Sequence, residues 1–219
     1  HKKWGDINYK INKAYCDKHG YDIIRDADRR IPHRQPNFER IALAQKHLPH
    51  YEHVIWLDAD AHFYIDSPPI HLLINDYNKF DFILSADSDR VAFEYRNNAC
   101  VERINSGVFI AKNTAYSMEI LDLWGFSHRL YEKRLGFTDQ GVLRLLHRDN
   151  ISEFKEHSVV LPFGFLQVFK EEQRDLSHAN ELLAHYNMEK EYIMHRAARS
   201  SDRRKNSSLD YYNHHINKK

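Results

Sequence analysis

Cysteine is scarce: Cys16 and Cys100 are the only two in 219 residues. That excludes both a disulfide scaffold and a cysteine zinc site. Glycine (7) and proline (6) are few, which excludes collagen-like and linker architectures. No apolar run approaches the roughly 20 residues of a membrane span, and no signal-peptide pattern opens the sequence. An excess of one charge is missing too. Lys+Arg 32 against Asp+Glu 31 leaves +1, so no global field is built for nucleic acid or an anionic membrane. Glycine-rich phosphate loops and nucleophile elbows are absent. What is there is a 42% hydrophobic, 13% aromatic chain, long enough to bury a real core.

The apolar pattern alternates between helix and strand spacing. Ile7, Ile11, Ala14 and Tyr15 recur at helical spacing, with Gly20 as a stop. Tyr21–Arg25 reads as a short strand, and a polar loop runs through Pro32 and Pro36. Phe38, Ile41, Ala42, Ala44 and Leu48 predict a second helix, ended by Pro49. Val54-Ile55-Trp56-Leu57 reads as a buried parallel strand, and Phe82-Ile83-Leu84 as another. Pro68 and Pro69 suit the start of a helix between them. Residues 86–103 are polar and are expected to form a loop. Val108-Phe109-Ile110, Val159-Val160-Leu161 and Tyr192-Ile193-Met194 are further strands, with one helix over 114–133 that Thr114 can cap and another that Thr138 can cap, running through Leu146. This rhythm predicts an α/β fold, a mostly parallel mixed sheet flanked by helices. No linker divides it. A single domain is expected over 1–198, followed by a basic, Ser/Asn-rich tail over 199–219.

Asp-x-Asp occurs at Asp26/Asp28, Asp58/Asp60 and Asp87/Asp89. With 18 aspartates in the chain, about one or two copies are expected by chance, so context must separate them. Only Asp58 and Asp60 leave a strongly apolar run and enter another, Ala61 to Ile65. Carboxylates at the carboxyl end of a buried strand sit where open α/β sheets bind ligands. Residues i and i+2 of an extended segment also point the same way, so both can face one cation. By contrast, His47, His50 and His53 have metal-like spacing, but Pro49 breaks the helix that would align them.

The segment Val54-Ile55-Trp56-Leu57-Asp58-Ala59-Asp60-Ala61-His62-Phe63 resembles the metal- and nucleotide-binding segment of nucleotide-sugar glycosyltransferases with the GT-A (Rossmann-like) fold. The resemblance is to the family of galactomannan galactosyltransferases, xyloglucan xylosyltransferases and yeast Golgi mannosyl- and galactosyltransferases. Asn105-Ser106-Gly107-Val108-Phe109 is similar to that family's Asn-small-Gly strand, and Asp139-Gln140 to the pair opening a later helix. His195 falls where the family keeps a late metal-binding histidine. Together these segments span about residues 38–198.

The resemblance implies a metal-dependent transferase moving a sugar from a UDP-sugar to a hydroxyl of a glycan or glycoprotein, with retention at the anomeric carbon. It implies Mn²⁺ or Mg²⁺ held by Asp58, Asp60 and His195. Oxygen ligands with one imidazole suit Mn²⁺ better than Ca²⁺. Asp139 and Gln140 are the expected catalytic pair, facing the transferred sugar, though an aspartate opening a helix is equally explained by the helix dipole. Asp87 and Asn105 are expected at donor hydroxyls, and Arg40, Arg196 and Arg199 at the donor phosphates. The donor-binding half is expected at about 1–112 and the acceptor side at about 113–198. Capsid glycosyltransferases encoded by viruses share this fold without an anchor. A virus-encoded, cytoplasmic enzyme is therefore one expectation, and a Golgi-lumen enzyme with an upstream anchor the other. Two alternatives from other classes are a haloacid-dehalogenase-type phosphatase, with Asp58 as nucleophile, and an inactive module that binds nucleotide-sugar or glycan.

Overall fold

The computed structural model describes residues 2–26, 28–32, 34–87, 93–96, 99–102, 104–126, 138–168, 180–188, 192–195 and 213. In chain order the elements are α1 (Lys2–His19), α2 (Glu39–His47), β1 (His53–Leu57), β2 (Ala61–Phe63), α3 (Ile70–Asp76) and β3 (Phe82–Ala86). There follow β4 (Phe93–Arg96), β5 (Ala99–Glu102), β6 (Ile104–Lys112), α4 (Ala115–Phe126) and α5 (Asp139–Arg148). The last are β7 (Ser158–Leu161), β8 (Gln167–Val168), α6 (Asn180–His185) and β9 (Ile193–His195). No helix among the described residues is long and apolar enough to cross a membrane.

The chain divides into two compact units. The larger comprises residues 26–56 and 74–161, the other residues 1–25, 57–73 and 162–219. The larger is built on a four-stranded sheet in the order β1-β6-β3-β7. It is mixed: β3 runs antiparallel to β6 and parallel to β7. A β-bulge between Leu84 and Ser85 shifts the β3–β6 register and brings Ser85 opposite Asn105. Phe82, Phe109, Leu121, Trp124, Leu143 and Phe154 lie at its core, with Phe109 and Trp124 meeting edge to face. Hydroxyls start its two later helices. Thr114 Oγ1 accepts from Ser117 N ahead of α4, and Thr138 Oγ1 accepts from Gly141 N ahead of α5.

In the second unit, α1 lies along a three-stranded sheet in the order β2-β9-β8. Tyr15 stacks on Phe63 at 4.1 Å and donates to Pro68 O. Gly20, at φ +74°, ends α1, and Tyr21 N closes back onto Cys16 O.

Four sequence expectations need correction. Tyr21–Arg25 is no strand: it leaves α1 as irregular chain, and its Tyr21 hydroxyl bonds the His71 ring instead. The buried face of α1 is Asn8, Ile11, Asn12, Tyr15 and Cys16, rotated from the stripe of Ile7, Ile11, Ala14 and Tyr15. Two amides can occupy that face because each donates a hydrogen bond and Asn12 also accepts one, which offsets part of the penalty for burying them. Strand β1 is half-buried along its length rather than fully buried, being last in its sheet's order. Finally, residues 86–103 contain the antiparallel pair β4–β5, with Phe93 opposite Glu102 and Tyr95 opposite Cys100. The part beyond Phe126 of the helix expected over 114–133, and the tail expected over 199–219 apart from position 213, lie outside the described residues.

Candidate metal centre

Asp58 and Asp60 follow β1 in a tight turn closed by Ala61 N donating to Asp58 O at 2.8 Å. Their side chains therefore converge through a turn, not through the extended segment expected from the sequence. Two side chains of α1, making three hydrogen bonds, hold that turn and β2. Asn8 Nδ2 donates to Ala59 O at 2.8 Å, and Asn12 Nδ2 to Ala61 O at 3.1 Å. Asn12 Oδ1 accepts from Phe63 N at 2.9 Å. One turn of helix separates the two amides, so a single face of α1 holds the acidic turn at Ala59 and Ala61.

Strand register brings in the histidine. β2 pairs with β9 in antiparallel fashion, with Ala61 opposite His195 and Phe63 opposite Ile193. Asp60, one residue before Ala61, is thus delivered beside the end of β9. His195 Nε2 lies 3.3 Å from Asp60 Oδ1 and 3.8 Å from Asp58 Oδ2. One ligand atom from each of the three residues falls within 4.8 Å of the others. His195 is 2% exposed and Asp60 9%, while Asp58 keeps more of its carboxylate in solvent. On its other side His195 Nδ1 is 3.0 Å from Gln167 Oε1. Two carboxylates and one imidazole, with the far ring nitrogen already engaged, form a donor set that fits Mn²⁺ or Mg²⁺. Among the described residues this is the group of three such side chains able to hold an ion. Cys16, buried in the same unit, has its thiol pushed up to about 11 by burial, so it stays protonated and offers no thiolate.

The other expected site residues lie in the larger unit and form their own network. Arg40, on α2, donates to Ser106 O at 2.6 Å and Ser106 Oγ at 2.8 Å, and stands 3.3 Å from Asp139. Ser106 Oγ donates in turn to Asp139 Oδ2 at 2.8 Å, and Gln140 Oε1 accepts from Ser106 N at 3.1 Å. Trp124 Nε1 donates to Asp139 O at 2.7 Å. The Arg40 guanidinium also lies over the Trp56 ring at 6.0 Å. Asn105 Oδ1 accepts from Gly107 N at 2.8 Å, which curls its side chain over the next turn of backbone. Asp87 pairs with Arg144 at 2.6 Å, and Arg144 also reaches Ile104 O. Arg196 and Arg199 lie outside the described residues.

Sequence reasoning missed Asn8, Asn12 and Gln167. The two asparagines did leave a signal, an i, i+4 amide pair flanked by Ile11 and Tyr15 on one helical face. Gln167 left none.

A family model matches residues 12–191 of the chain. The chain belongs to the family described as protein of unknown function, DUF273. This DUF273 chain is also similar to galactomannan galactosyltransferase 1 of Cyamopsis tetragonoloba, 28% identical over 119 residues, or 53% of this chain and 26% of that one. It therefore spans about a quarter of the length of that relative. Among solved structures it resembles a glycosyltransferase involved in glycosylation of the major capsid of PBCV-1, with TM-score 0.62 and 13% identity over 94% of this chain and 92% of that chain. It also resembles galactosyltransferase LgtC in complex with donor and acceptor sugar analogs, with TM-score 0.52 and 14% identity over 91% and 71% of the two chains. The fold is therefore the GT-A glycosyltransferase fold that the motifs implied.

Proposed function

We propose that this chain is a divalent-metal-dependent glycosyltransferase, moving a sugar from a UDP-sugar to a hydroxyl of a glycan or glycoprotein with retention at the anomeric carbon. The observation that carries the reading is the gathering of Asp58, Asp60 and His195 within 4.8 Å, in a chain with the fold of glycosyltransferases. Bound there, Mn²⁺ or Mg²⁺ would supply positive charge to the donor diphosphate as the nucleotide leaves. Asp58 and Asp60 would hold it through carboxylate oxygens, and His195 through Nε2. Asn8 and Asn12 keep the acidic turn in one shape, so the two carboxylates need little reorganisation to bind. For Asp139, Gln140, Asn105, Asp87 and Arg40, in the larger unit, the roles toward the donor remain those implied by the resemblance and are part of the proposal.

The deciding experiment follows UDP release from a panel of UDP-sugars, with Mn²⁺ and with chelator. Metal-dependent release from at least one donor is expected, abolished by Asp60→Asn. Release that persists in chelator would contradict the metal role. Donor binding without release would favour the inactive binding module, and phosphate release from a simple monoester the phosphatase.

A further inference from the structure

The imidazole of His195 spans three strands. β9 is the middle strand of its sheet, with β2 on one side and β8 on the other. Toward β2, Nε2 looks at Asp60 and Asp58. Toward β8, Nδ1 meets Gln167 Oε1 at 3.0 Å, because β8 runs parallel to β9 with Gln167 opposite Ile193 and Val168 opposite Met194. Gln167 has no exposed surface.

We propose that Gln167 is a positioning residue for the metal centre, holding His195 in the tautomer whose Nε2 lone pair faces Asp58 and Asp60. The proposal rests on the metal-centre reading above. Its chemistry is that of a carbonyl oxygen, which accepts hydrogen bonds and cannot donate them. With Oε1 against Nδ1, the single proton of the neutral ring sits on Nδ1, and Nε2 turns a lone pair toward the two carboxylates. A lone pair and two carboxylates grouped in this way favour a shared cation. The opposite amide orientation would set the Gln167 NH₂ against Nδ1 and drive the ring proton onto Nε2. That ring would donate to the carboxylates and could not ligate. One amide thus selects between a metal ligand and a closed histidine–aspartate pair.

A second feature supports the choice. Gln167 Nε2 is buried with no hydrogen-bond partner among the described residues. A buried donor left unsatisfied is unfavourable, and a leucine of similar size would avoid it. Of the two polar atoms of this buried amide, the oxygen is the one with a partner, and that partner is His195.

The test uses the full chain and Mn²⁺ alone, with free Mn²⁺ followed by electron paramagnetic resonance. The His195 tautomer is read by ¹⁵N NMR of the metal-free protein, and melting in chelator checks the fold. Gln167→Leu is expected to weaken Mn²⁺ binding about 10–100-fold and to release His195 from the Nδ1–H form. Gln167→Glu keeps an acceptor on Nδ1, so it is expected to keep that tautomer and to bind Mn²⁺ within about threefold of wild type or tighter. Should the leucine variant fail to fold, the glutamate variant decides alone: loss of the Nδ1–H form in a folded protein overturns the proposal. Wild-type affinity and tautomer in Gln167→Leu also overturn it and leave the metal centre standing. If His195→Ala binds Mn²⁺ as wild type does, the metal-centre reading itself fails, and the tautomer still reports separately on whether Gln167 holds the ring.

Discussion

In the larger unit, Arg40 meets Asp139 across a serine hydroxyl, a cation beside an anion, with Arg40 8% and Asp139 1% exposed. In the other unit, Asp58 and Asp60 are grouped about an imidazole. The first cluster joins α2, β6 and α5 through a compensated pair. The second gathers like charges, which raises local repulsion unless a cation is shared. Polar burial thus serves two ends here, and substitution should separate them. Damage to the first is read in stability and damage to the second in metal binding.

The largest effect is expected from Asp139→Ala, which leaves the Arg40 charge buried without its carboxylate. Removing one partner of a buried pair costs about 3–5 kcal/mol, measurable by chemical denaturation. Asp60→Ala should cost less than about 1 kcal/mol by the same measurement, since it also relieves repulsion. Equal losses at the two positions would break the distinction.

Acid sharpens it further. His147, on α5, is 5% exposed and packs edge-on against Phe154. Burial lowers its pKa from 6.5 to about 4, with Lys155 a smaller contribution. The folded state therefore prefers the neutral ring. Its stabilising effect is complete above pH 6.5 and is lost as pH falls toward 4, by about 3 kcal/mol. Denaturation curves of wild type and His147→Gln at pH 7 and pH 4.5 should show that the variant loses less on acidification.

Ligand binding supplies the next contrast. UDP with Mn²⁺ at about 100 times its Kd should stabilise the protein by about 2.7 kcal/mol, and UDP with chelator much less. Thermal melting reads the difference. The smallest effect is at a cap: Thr138→Ala should cost about 1 kcal/mol by leaving Gly141 N unsatisfied at the start of α5, with no change in Mn²⁺ affinity.

Much of this was legible from residue spacing. Helical periodicity located α2, α4 and α5, because Ile41, Leu121, Leu143 and their neighbours face one core. Thr114 and Thr138 were readable as caps from chemistry alone. Asp58 and Asp60 stood out by context, but their route to one point, a turn clamped by Asn8 and Asn12, did not. The i, i+4 pair of amides was visible, but what it holds depends on backbone partners 51 and 49 residues away. His195 was found by family resemblance. Its physical partner, Gln167, depends on a two-residue strand too short to leave a pattern. The β4–β5 pair was hidden for a similar reason: four-residue strands such as Phe93-Glu94-Tyr95-Arg96 carry too few positions to separate alternation from a polar loop.

The central claim is that Asp58, Asp60 and His195 hold one divalent cation. Titration of the metal-free full chain with Mn²⁺, compared with the doubly substituted Asp58→Asn/Asp60→Asn chain, tests it most directly. The account predicts a single saturable Mn²⁺ site in wild type that is lost, by about 100-fold or more in affinity, in a double variant whose melting temperature in chelator is unchanged or raised. The same Mn²⁺ site with the same affinity in both proteins, or no saturable site in wild type, would contradict it.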